Sequence, residues 1–117
     1  MTEEILKKPR RLEIEFLTNK SKYVLLRRSE RSAVYKQYMD GVLVGYEVYS
    51  PIHIRKAEVF KGIEYPLREV VPSNENWSQC AWSLGNYYTE EEAIKYFERK
   101  DKEVVDGVRG KNKRQNI

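Results

Sequence analysis

Asp40-Gly41 lies between two runs of β-forming residues, Ala33 to Met39 and Val42 to Ser50. A two-residue Asp-Gly loop suits a type I′ turn, whose positive φ angles match the twist of the strands it joins. Loop length then sets the register. Met39 is predicted to face Val42, Gln37 to face Val44, Tyr35 to face Tyr46 and Ala33 to face Val48. Tyr38–Leu43, Lys36–Gly45 and Val34–Glu47 fall on the opposite side. The first set is the more apolar and is expected to bury Met39, Val44 and Tyr46. The second mixes aromatic and charged groups, as a solvent-facing sheet surface does. Gly45 leaves that surface open beside Lys36, either as a relaxed bulge or as room for close approach.

Around this hairpin the period of two recurs. Leu12, Ile14 and Phe16 alternate with Glu13 and Glu15, which predicts a half-buried strand over residues 11–17. Tyr23 to Arg28 reads as a second strand. Pro51 interrupts the hairpin, so Ile52 to Phe60 reads as a separate strand, with Lys61-Gly62 and Pro66 punctuating a loop or ragged edge strand up to Val71. Pro72 to Asn76 is turn-rich, and Ala81 to Leu84 predicts a last short strand. Thr89 followed by Glu92 is a capping box, and Glu90-Glu91-Glu92 sits where a helix dipole favours negative charge. Ala93, Ile94, Phe97 and Val104 then recur at helical spacing, and Gly107 and Gly110 stop the helix. The expected fold is a single α+β domain over residues 11–106. It has a twisted antiparallel sheet of four to six strands with one C-terminal helix packed on one face. A basic N-terminal arm (1–10) and a disordered basic tail (107–117) flank it.

With 117 residues, 40% of them apolar and 34% charged, the chain carries one economical core. No apolar run approaches the ~20 residues of a membrane span, and the start Met1-Thr2-Glu3-Glu4 does not resemble a signal peptide. A cytosolic location is expected. The single cysteine, Cys80, excludes an internal disulfide and a thiolate zinc cage, and the single histidine, His53, argues against a His-based metal site. No cofactor is expected. Glu13 and Glu15 share a strand face, but they alternate outward from an apolar stripe and lack the burial that separates the pKa values of an acid–base pair. No basic residue stands beside Cys80 to activate its thiol, His53 reads as a surface residue, and the six glycines are too scattered for a phosphate loop. No enzyme signature survives. A small enzyme with an unfamiliar site around Glu13, Glu15 and His53 ranks last.

The charge is segregated. Residues 1–36 hold ten Lys or Arg against five Asp or Glu, residues 73–106 four against eight, and residues 107–117 four against none. Basic ends serve solubility in many proteins, but they also attract polyanions by counterion release. Arg27, Arg28 and Arg31 cluster near the start of the hairpin, with Lys36 and Tyr38 on one face and Tyr49 across the ladder. Arginine and tyrosine on an open sheet can hold phosphates while stacking unpaired bases. Lys111, Lys113 and Arg114 of the tail are the further candidates. The partner this suggests is RNA or a nucleoprotein complex. The same residue types also suit a protein interface, so an adaptor or a homodimer using the hairpin or an open sheet edge is the alternative. Trp82 is expected in the core, and Trp77 is split between core and binding.

From Tyr23 to Phe97 the layout resembles short proteins of phages and mobile elements of Bacteroidetes-type bacteria. The residues that carry this are Tyr23-Val24-Leu25-Leu26-Arg27-Arg28, Glu30-Arg31-Ser32-Ala33-Val34-Tyr35 and Gly45-Tyr46-Glu47-Val48-Tyr49. They continue in Pro72-Ser73-Asn74-Glu75, Ala81-Trp82 and Thr89-Glu90-Glu91-Glu92-Ala93 with Phe97. The resemblance covers about two-thirds of the chain and implies no enzymatic chemistry. It makes small, basic, non-enzymatic inhibitors of host defence, of the anti-CRISPR type, a natural class. Such inhibitors bind a nuclease complex or its guide RNA. Similarity to WGR domains extends only to Trp82, Gly85 and the Glu-Glu-Ala helix start. The Trp-Gly-Arg triplet is missing, and that family is not adopted.

Overall fold

The computed structural model describes residues 9–71 and 80–106. Strands β1 (Glu15–Leu17), β2 (Lys22–Arg28), β3 (Ala33–Met39), β4 (Val42–Tyr49) and β9 (Ala81–Gly85) form one antiparallel sheet in the order β1-β2-β3-β4-β9. Between β4 and β9 the chain leaves the sheet as an arm of short paired strands. β5 (His53–Arg55) pairs with β8 (Arg68–Val70), and β6 (Glu58–Phe60) pairs with β7 (Ile63–Tyr65). Helix α1 (Glu90–Asp106) packs on one sheet face. The α+β architecture agrees with the sequence expectation. Among the described residues no helix is long and apolar enough to cross a membrane.

The Asp-Gly turn forms as expected, with φ of 51° at Asp40 and 78° at Gly41. Lys61 and Gly62, at 53° and 78°, make the same kind of reversal at the tip of the arm. The ladder departs from the predicted register after two pairs. Met39 faces Val42 and Tyr38 faces Leu43, but Gln37 then faces Gly45, Lys36 faces Tyr46, Tyr35 faces Glu47 and Val34 faces Val48. A bulge at Val44 inserts the extra residue. One slip moves every later side chain of β4 to the other face. Tyr46 is still buried, but Met39 is exposed and Val44 only half-buried.

The slip gives the sheet two cores. Below the helix, Val34, Tyr46, Val48 and Leu84 meet Ala93 and Phe97. On the other side Tyr23, Ala33, Tyr35, Tyr49, Ile52 and Ala81 cluster, with Phe16 and Leu12 packed against them. Phe16 stacks on Tyr23 with ring centroids 4.9 Å apart and meets the edge of Tyr35 at 5.1 Å. The first strand is shorter than predicted, because Leu12 N–H donates to Glu69 Oε1 at 2.9 Å and the Arg10 backbone bonds to Leu67 and Glu69. The segment before β1 is thereby drawn to β8, and Ile14 is left 71% exposed. Arg10, placed in the N-terminal arm by sequence, belongs to the folded unit.

The helix ends its cover of the sheet where its capping box begins. Thr89 N–H donates to Glu92 Oε1 at 2.8 Å, and Glu92 N–H donates to Thr89 Oγ1 at 3.1 Å. Farther along, Asp101 Oδ1 accepts from Ser29 Oγ and Ser32 Oγ, both at 2.7 Å, which fastens the helix to the β2–β3 connection.

Candidate functional site

Cross-strand partners project from the same face of a sheet, so the register builds two rows on the helix-bearing side. Glu15, Val24, Lys36, Tyr46 and Leu84 form the row where α1 begins. Leu17, Lys22, Tyr38 and Leu43 form the row beyond it. Tyr46 and Leu84 are sealed under the helix. In the outer row Tyr38 and Leu43 are half-buried, while Leu17 and Lys22 are exposed.

This uncovered end of the face opens into a cleft of about 790 Å³ between the β1–β2 and β3–β4 turns. Its size falls within the ~300–1,000 Å³ of ligand sites. Leu17, Val24 and Met39 supply apolar wall, Tyr38 an aromatic ring, Lys20 and Lys22 cations, and Asp40 a carboxylate. Lys22 Nζ lies 3.2 Å from Glu15 Oε1, with both side chains about half exposed to water at 50% and 57%. Such a pair contributes ~0–1 kcal/mol and yields readily to a competing anion. Lys36 Nζ is 2.8 Å from Glu90 Oε1, and that hydrogen bond is the main cause holding the ammonium's pKa above its ordinary value. Lys20 has no ion-pair partner among the described residues.

The structure separates the residues singled out in sequence. Lys36 and Tyr38 stand on the face described above. Arg27 and Arg31 are exposed, without ion pairs among the described residues. Arg28 must be corrected: its guanidinium makes two hydrogen bonds to the Glu69 carboxylate, at 2.8 and 3.0 Å, with side chains only 12% and 7% exposed. It joins β2 to the arm and is not presented to a ligand. Tyr49 must also be corrected. It is 1% exposed, and its hydroxyl donates to Glu47 Oε2 at 2.7 Å, because the bulge turned it into the second core. Lys111, Lys113, Arg114 and Trp77 lie outside the described residues. Trp82 is half-buried, edge-on to Tyr96 at 6.3 Å, with Lys100 Nζ 4.6 Å from its ring centroid.

Sequence reasoning missed Lys20, Lys22 and Asp40 as neighbours of Tyr38. The signal was present: they flank two reversals that an antiparallel β1-β2-β3-β4 order brings to one end of the sheet. It also missed the arm as a feature of its own, where Ile54, Val59, Phe60 and Ile63 are 53–67% exposed. Glu13, Glu15 and His53, the residues of the enzyme alternative, are all exposed, and Cys80 is buried.

Buried ionisable groups lie elsewhere in the fold. Glu47 is 6% exposed and accepts from Tyr49 and, at 3.3 Å, from Tyr23. Burial lifts its carboxyl above the ordinary range, and the two phenol hydrogen bonds only moderate that. Burial likewise pushes Tyr35 up to about 12, its hydroxyl donating to the Glu13 carbonyl at 2.8 Å. These groups tie the second core together. No family model matches the chain, and neither a curated protein nor a solved structure matches it.

Proposed function

We propose that the chain is a non-catalytic binding protein that engages RNA, alone or within a nucleoprotein complex, through the helix-free end of its main sheet. The observation that carries this is the row Leu17–Lys22–Tyr38–Leu43, which sets an aromatic ring beside lysines at the floor of a cleft. An aromatic platform bordered by cations holds single strands by stacking bases and neutralising phosphates. Arg27 and Arg31, at the opposite end of β2, add a separate cationic patch along the β2–β3 connection. Within this proposal the chain is an inhibitor of the anti-CRISPR type that works by occupying a host defence complex.

Fluorescence anisotropy with a labelled single-stranded RNA, repeated across salt concentrations, tests the proposal. Lys20 and Lys22 at phosphates predict a log–log slope near −1.4, at ~0.7 per contact for single strands. Lys20→Ala is expected to shallow it by about 0.7. Affinity indifferent to salt would remove the polyanion from the account.

The arm favours a second reading, a homodimer. Phe60 and Ile63 are cross-strand partners on one face of the two-stranded β6–β7 tip, and both are more than half exposed. An isolated two-stranded ribbon with apolar residues in water is only marginally stable, and a second copy covering it would bury those side chains. Light scattering on a sizing column separates a dimer from a monomer, and Phe60→Ser should dissolve a dimer of this kind.

A further inference from the structure

We infer that the cleft receives one unpaired nucleotide, with its phosphate at Lys20 and Lys22, its base on Tyr38 and an exocyclic amino group of that base turned to Asp40. This rests on the RNA-binding proposal and narrows it to a class of base. The cleft is polarised. Its two lysines come from the β1–β2 side, and its carboxylate comes from the first position of the β3–β4 turn. Among the described residues the Asp40 carboxylate has no ion pair or side-chain hydrogen bond, and its backbone is fixed by the turn.

A fitting ligand therefore has an anionic end, a flat apolar middle and a hydrogen-bond donor at the far end. An amino-bearing nucleotide has those three parts in that order. A carboxylate accepts from the cytosine amino group, whereas the O4 carbonyl of uracil would oppose it lone pair to lone pair. A base inside a duplex has both faces stacked and its amino group already paired, so it cannot reach Tyr38 and Asp40 together.

The test uses the full chain with labelled oligo(rC) and oligo(rU) of about 12 nucleotides and a duplex of the same length. Oligo(rC) is expected to bind roughly fivefold tighter than oligo(rU) and about tenfold tighter than the duplex. Asp40→Asn keeps a residue suited to the type I′ turn. It should erase the difference between rC and rU while leaving the salt dependence intact. Salt-dependent binding that is equal for rC, rU and duplex would overturn this inference and leave the RNA-binding proposal standing. No binding to any of the three would overturn both.

Discussion

Glu90 Oε1 lies 2.8 Å from Lys36 Nζ, so the first residue of helix α1 grips the row at which the helix stops covering the sheet. The contact trims the cationic strength of the open end, since it neutralises one of the three lysines there. Glu90→Gln is expected to raise affinity for single-stranded RNA about threefold and steepen its salt dependence. The partly exposed pair contributes ~0–1 kcal/mol and the charge at the helix N-terminus ~0.3–1 kcal/mol more, so the stability cost should stay below about 2 kcal/mol. Denaturant melts beside anisotropy titrations read the two effects separately.

Arg28 and Glu69 behave oppositely. Their bidentate pair is largely shielded from water, with side chains 12% and 7% exposed, and Glu69 also accepts from Leu12 N–H. Removing one partner leaves an uncompensated charge, which costs ~3–5 kcal/mol. Arg28→Ala should lower stability by that amount in urea unfolding, with RNA affinity per folded molecule unchanged. A surface arginine contacting phosphate would give the reverse pattern.

Two carboxylates, Glu69 and Glu47, set opposite pH trends. Burial acts to raise Glu69, but the Arg28 hydrogen bonds, the Leu12 N–H and the nearby guanidinium charges outweigh it and leave the pKa below 4.5. Its stabilisation is present above the ordinary carboxylate value and is lost as pH falls through the lowered one. Glu47 lies above 4.5 through burial. Its favourable contribution belongs to the protonated form, is full below the ordinary value and fades as pH rises through the raised one. Glu47→Gln should therefore flatten the stability profile on the alkaline side of 4.5, and Glu69→Gln should flatten it on the acid side. Urea midpoints across pH 3 to 8 check both.

Much of this architecture could be read from residue order. Asp40-Gly41 gave the hairpin, Thr89 with Glu92 gave the helix start, and alternation gave β2 and β3. The bulge at Val44 was not legible, since nothing local to Val42–Gly45 distinguishes a continuous pair from an inserted residue. That single residue decided the site. It sent Tyr49 inward, and it put Lys36 opposite Tyr46 where Gly45 was expected. Arg28 was misplaced for a different reason: its partner Glu69 is 41 residues away, beyond any local pattern. Lys36 and Tyr38 were found because the inserted residue is in β4, so the alternation along β3 still puts both on one face.

Gly45 shows what the bulge accommodates. The room left by its missing side chain is taken by the backbone of β9, and an added Cβ would run into the Leu84 carbonyl oxygen. Gly45→Ala is expected to cost at least ~2 kcal/mol by forcing β4 and β9 apart. Gly41→Ala is strained by its positive φ of 78° but meets no neighbouring atom, so relief comes from the turn alone. Thermal melts of the two variants should place Gly45→Ala well below Gly41→Ala.

The most direct test of the central claim is a titration of isotope-labelled protein with single-stranded RNA, followed by backbone amide shifts. Binding at the helix-free end predicts perturbations concentrated at Leu17–Val24 and Lys36–Gly41, with the arm from His53 to Val70 unmoved. Shifts confined to the arm, or none at millimolar RNA, would contradict it.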